Sequence, residues 1–238
     1  AWAIEGQAVL KDGNDAVIMV WKNNGDGTFF LWDSYTYAPL RNFGDIKLRD
    51  LNGDGFVDML LAPDDDFPPY NFGTAVNNGD GTFGPVVIQP VGSCGQGSID
   101  AFDLDGDGDR DVVLTEEQGC PGVPQPRIFV YRNDGNMVFT LVTTLVSSNG
   151  FPRGMAGADL NGDGRLDLVT ALNTTMGVFP NNGNFSFGPP VLSSTSPYKF
   201  RLADFNNDGK LDVGMLMNQT ELYEVQVATA LGLGGGLF

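Results

Sequence analysis

The chain has 238 residues, 42% hydrophobic and 11% aromatic, enough for one all-β domain or two small ones and too apolar for default disorder. Its 30 acids against 13 bases give a net charge of −17, which repels phosphate backbones and argues against nucleic acid as a partner. The longest apolar stretch, ATALGLGGGL near the C-terminus, is too short and too rich in glycine for a bilayer span, so no membrane insertion is expected.

In chain order, AWAIEGQAVLKDGND reads as a repeat unit entered partway, with Asp12-Gly13 and Asp15 as a decayed remnant of an acidic loop. Ala8 and Leu10 stand there where ligands would be, so no metal is expected in it. A strand-like run, AVIMVW, leads into NNGDGTF (Asn23–Phe29). That motif returns as Asn77–Phe83, NDGNMVF at Asn133–Phe139 and NNGNFSF at Asn181–Phe187. An Asn-Gly or Asp-Gly pair between apolar runs predicts a tight hairpin with positive φ at both central residues.

A second pattern, D-x-[DN]-x-D-G-x-x-D, alternates with the first. Its copies are DLNGDGFVD (Asp50–Asp58), DLDGDGDRD (Asp103–Asp111), DLNGDGRLD (Asp159–Asp167) and DFNNDGKLD (Asp204–Asp212). Strand-like runs follow each: MLLA, VVLTE, LVTAL and VGMLM. The unit is strand A, acidic loop, strand B, variable loop, strand C, Asn-Gly hairpin, strand D, which is the size of a four-stranded propeller blade. The expected fold is one all-β propeller domain, 1–238, of about five blades near 1–40, 41–92, 93–147, 148–194 and 195–238. A four-bladed ring, or an arc of a larger one, stays open. The C-terminal stretch from Glu221 could supply two strands but lacks the Asn-Gly hairpin.

Positions 1, 3, 5 and 9 of the acidic loop supply side-chain oxygens, and glycine at position 6 permits the turn that frees the carbonyl of position 7. Hard oxygen donors in that order suit Ca²⁺. The candidate ligands are Asp50, Asn52, Asp54, Phe56 (carbonyl) and Asp58; Asp103, Asp105, Asp107, Asp109 and Asp111; Asp159, Asn161, Asp163, Arg165 (carbonyl) and Asp167; Asp204, Asn206, Asp208, Lys210 (carbonyl) and Asp212. These loops hold 14 of the 30 acids, so four bound ions would reduce the formal charge to −9. An EF-hand is excluded, because position 12 is Leu61, Leu114, Thr170 or Met215 where a bidentate Glu is needed.

The two motifs resemble the FG-GAP or VCBS repeat of integrin α-subunit propellers, bacterial surface proteins and certain mushroom lectins, over nearly all of residues 40–217. The resemblance implies that the four Ca²⁺ ions are structural. Alternating connectivity sends the variable loops to the face opposite the acidic ones. Candidate ligand-binding residues there are Tyr35, Tyr37, Arg41, Asp65, Tyr70, Glu117, Arg127, Phe151, Arg153, Tyr198 and Lys199. Aromatic rings beside planar polar groups suit sugar rings and protein surfaces alike. The expected function is a non-enzymatic, lectin-like protein binding glycans or glycoproteins. The alternatives are an adhesion propeller for extracellular proteins and a lyase or other secreted enzyme. With no histidine in the chain, the commonest general base is missing. Cys94 and Cys120, both in loop-like surroundings, are expected to form a disulfide, and the location to be extracellular. Sequons at Asn173, Asn184 and Asn218 permit glycosylation.

Overall fold

Glycine and Asx turns punctuate the chain so densely that every regular element among the described residues is a strand. The computed structural model describes residues 9–11, 15–37, 43–63, 71–91, 97–116, 125–148, 150–173, 175–195, 197–218 and 225–234. The strands form five sheets that follow one another along the chain, each a meander of antiparallel neighbours. The first holds β1 (Val9–Lys11), β2 (Asp15–Asn23) and β3 (Phe29–Tyr37). The second holds β4 (Phe43–Arg49), β5 (Asp58–Pro63), β6 (Asn71–Ala75) and β7 (Val87–Pro90). The third holds β8 (Ile99–Phe102), β9 (Asp111–Thr115), β10 (Arg127–Asn133) and β11 (Phe139–Val146). The fourth holds β12 (Arg153–Ala158), β13 (Asp167–Ala171), β14 (Met176–Phe179) and β15 (Val191–Ser193). The fifth holds β16 (Lys199–Ala203), β17 (Asp212–Asn218) and β18 (Val225–Ala230). The inner strands of neighbouring sheets lie against each other, β4 by β8, β8 by β12 and β12 by β16. The molecule is a β-propeller, as the repeat pattern predicts.

Packing explains why the second strand of each full sheet reads as an unbroken apolar run. Side chains alternate across a strand, so a strand covered on both faces has no polar phase. On β5, Met59 and Leu61 pack with Ile18 and Val20 of the first sheet, while Leu60 and Ala62 pack with the third. On β9, Val112 and Leu114 face the second sheet and Val113 faces the fourth. On β13, Leu168 faces the third sheet, while Val169 and Ala171 join Val213 and Met215 of β17. Four apolar clusters therefore cement five sheets in sequence. The outer face of the fifth sheet is open: Leu216 is 36% exposed and Val227 78%.

The two terminal sheets correct the sequence reading. NNGDGTF joins β2 to β3, whereas the same motif follows the third strand, β6, in the second sheet. The three strands of the first sheet therefore correspond to B, C and D. Asp12 and Gly13, read as an acidic-loop remnant, lie outside the described residues, and Lys11 and Asp15 on either side of them pair across β1 and β2, the B and C positions. At the other end the ninth-residue contact returns without the asparagine. The amide of Gly232 donates to Asp212 Oδ1 at 2.7 Å, as that of Asn77 does to Asp58 Oδ1 at 2.9 Å. Gly232 thus stands where asparagine stands in NNGDGTF; the described residues 225–234 hold one strand, β18, and the rest of the stretch from Glu221 lies outside the described residues.

Candidate functional site

Each acidic loop is a nest of Asx turns. Asp50 accepts hydrogen bonds from the amides of Gly53 and Gly55 (2.8 and 3.0 Å), Asn52 from Asp54 (3.1 Å) and Asp54 from Phe56 (2.8 Å). The second loop repeats the pattern through Asp103, Asp105 and Asp107, the third through Asp159, Asn161 and Asp163, the fourth through Asp204, Asn206 and Asp208. Side chains that hold the loop are those nominated as ligands, and each carboxylate oxygen keeps a second lone pair for a cation. Position 4, which the sequence reading passes over, is left-handed in every loop. It is Gly53, Gly106 and Gly162 in three of them and Asn207, with φ of 60°, in the fourth. Asparagine is the residue that tolerates this conformation best after glycine.

The ninth residue is buried in all four loops. Its carboxylate joins two segments far apart in sequence. In the second loop Asp111 Oδ2 accepts from the Leu104 amide (2.9 Å) and Oδ1 from the Asn133 amide (3.0 Å). Asp58 takes Leu51 and Asn77, Asp167 takes Leu160 and Asn181, and Asp212 takes Phe205 and Gly232. Burial pushes the Asp111 carboxyl up to about 7, with repulsion from Asp105 and Asp107 adding to it. Burial also raises Asp58 and Asp167. Asp103, Asp105 and Asp111 bring carboxylate oxygens within 4.8 Å of one another. Three like charges that close are costly unless protons or a cation offset them.

The hairpin asparagine does more than turn the chain. Asn133 Nδ2 donates to Leu51 O of the preceding sheet's loop at 2.8 Å, and Asn181 Nδ2 donates to Leu104 O at 2.8 Å. Both are 1% exposed. The hydrogen bonds therefore run without interruption from Asp58 through Leu51, Asn133, Asp111, Leu104 and Asn181 to Asp167. The tight turn with two positive φ angles forms in the third and fourth hairpins, just beyond the expected pair, at Asn136–Met137 and Asn184–Phe185, and is corrected in the second. Asn77 pairs with Phe83 across a longer loop, and the positive φ angles fall at Gly79 and Gly81. Asn77 Oδ1 caps the Gly79 amide at 2.9 Å, an Asx turn that starts the longer loop.

Antiparallel pairing puts the B–C and D–A connections at the other rim. Two candidate ligand residues are engaged in the fold. The Tyr35 hydroxyl donates to Asp33 (2.7 Å) and accepts from the Phe83 amide (2.8 Å), with the two rings edge to face at 6.0 Å. Burial and the Asp33 contact push its hydroxyl up to about 12. Arg127 forks onto Glu116 (Nε 3.0 Å, Nη2 2.9 Å), which is fully buried, and its guanidinium sits over Phe129. Arg153, Tyr198 and Lys199 are exposed and Phe151 half-buried, with the Lys199 ammonium 6.0 Å from the Tyr198 ring. The Gly154 amide bonds Ser98 Oγ at 3.0 Å, tying this rim between the third and fourth sheets. Tyr37 ends β3. Arg41, Asp65, Tyr70, Glu117, Cys94 and Cys120 lie outside the described residues.

An FG-GAP-like repeat model matches residues 50–114 and, overlapping, 103–170. One solved structure similar in fold is an Agrocybe aegerita lectin described as specifically recognising non-reducing terminal N-acetylglucosamine. It is 21% identical with a TM-score of 0.60, over 95% of this chain and 62% of that one, so this chain spans less than two thirds of the lectin's length. Another is the Photorhabdus luminescens Tc holotoxin pore, 19% identical with a TM-score of 0.44, over 96% of this chain and 11% of that one. No curated protein matches the chain.

Proposed function

The chain belongs to the FG-GAP-like repeat family, and from that premise we propose that it is a calcium-stabilised, lectin-like propeller that binds carbohydrate on the rim opposite its acidic loops. The contrast between the two rims supports this reading most. On one, the side chains that recur from loop to loop are engaged in bracing loops to hairpins, and crowded carboxylates ask for a counter-charge. On the other, aromatic and basic side chains stand exposed with little structural employment.

The donors for Ca²⁺ would be the side chains at positions 1, 3, 5 and 9 and the carbonyls of Phe56, Asp109, Arg165 and Lys210. An all-oxygen set with a buried ninth carboxylate suits a hard divalent ion. Bound calcium would supply charge neutralisation and stiffness to the loop.

For the ligand, the exposed Tyr198 ring beside Lys199, with exposed Arg153 on the same rim, offers an apolar face and hydrogen-bond donors, as sugar recognition requires. The fold likeness to a lectin favours glycans over protein partners as the first class to test. A glycan array on the calcium-loaded chain, followed by calorimetry with terminal N-acetylglucosamine, is the direct experiment. Binding should be weak per site and fall at least about tenfold in Tyr198→Ala or Arg153→Ala. An array without hits, or binding that both variants leave unchanged, overturns the assignment.

A further inference from the structure

The four acidic loops share a backbone but differ in charge, and the difference is concentrated at positions 3, 7 and 8. Within its nine residues the first loop carries −3, from Asp50, Asp54 and Asp58. The second carries −4, from five aspartates and Arg110. The third and fourth carry −2 each, because Arg165 and Lys210 stand at position 7. Position 3 is Asp105 in the second loop and asparagine in the others.

The side chain at position 7 has a fixed neighbour. Phe56 packs on Gly79, Asp109 approaches Gly135, Arg165 lies against Gly183 and Lys210 against Gly234, each a positive-φ glycine. Gly25 meets no such side chain among the described residues. In the third loop this seat holds a cation with polar work: Arg165 bonds the Asp163 carboxylate and, through Nε, the Asn181 carbonyl at 2.8 Å. In the fourth, Lys210 Nζ reaches the Leu233 carbonyl at 3.5 Å.

Resting on the calcium reading above, we propose that the loops form a graded set. The second is the principal cation site, and in the third and fourth a built-in side-chain cation does part of the bracing that a bound ion does elsewhere. In the third loop a position-5 carboxylate engaged by guanidinium is a poorer donor, since the ion must displace or tolerate a positive charge. In the second, three carboxylates already converge, and position 7 is itself an acid, Asp109. One unit of charge a few ångströms from the ion, even well screened, is worth about tenfold in affinity.

Calorimetric titration of the whole chelated chain with Ca²⁺ tests this, with Asp105→Asn and Arg165→Gln as variants. The wild-type titration should resolve one tight site from weaker ones. Asp105→Asn should weaken the tight class about tenfold and leave the rest alone. Arg165→Gln should tighten a weak class and lower the melting temperature of the chelated protein, because the loop loses its resident cation. Four equivalent sites, with Asp105→Asn no different from wild type, would overturn the grading while leaving calcium binding intact. A chain that binds no Ca²⁺ at all would remove the premise itself.

Discussion

Single side chains in this protein work at the seams between repeats. The Asn181 amide group donates to Leu104 O in the third sheet and Leu166 O in its own, and both acceptors are left unpaired if it is removed. Asn181→Ala should cost about 1–3 kcal/mol in urea unfolding. Asn77→Ala should cost less, because among the described residues its amide donates only to Val57 O, within its own sheet. Equal losses would mean that the inter-sheet bond contributes nothing. The sequence marks these asparagines as turn residues, and that much is legible. Their reach into the preceding repeat is not, since the acceptors are backbone carbonyls 77 and 82 residues away. Position 9 has the same limit: its acidity is readable as a ligand, its burial and double backbone tie are not.

At the scale of strands and loops, periodicity carried most of the information. Unbroken apolar runs such as MLLA and VVL mark strands covered on both faces, and the packing agrees. Leu114, fully buried between the second and third sheets, should cost about 2–5 kcal/mol on substitution by alanine. Leu216, in an equivalent strand with its outward face open, should cost under about 1 kcal/mol. Denaturation midpoints of the two variants check this, and a large loss at Leu216 would mean that its face is covered in solution. What misled was the identity of the connections. Strand letters depend on which turn follows which strand, and the N-terminal stretch carries an Asp-Gly that mimics the acidic loop. Beyond the fifth sheet, glycine takes the place of asparagine at 232, so the motif is invisible by letter although Asp212 finds the same amide.

For the molecule as a whole, the charge of −17 is concentrated in four loops, and their carboxylates repel one another wherever no counter-ion sits. Chelation should lower the melting temperature by several degrees, and at a hundredfold excess over Kd added Ca²⁺ should restore about 2.7 kcal/mol for each filled site. Scanning calorimetry with and without chelator measures it. An unchanged transition would refute the metal reading of the loops.

The hydrogen-bonded run from Asp58 to Asp167 has a mechanical meaning as well. Arrays whose units touch only their neighbours tend to fray from the ends inward. Here a thread of carboxylates, amides and carbonyls stitches three consecutive sheets along one rim. Opening any one loop would slacken its neighbours, so the stitched sheets should come apart together, behaving less like beads on a string than like a hem.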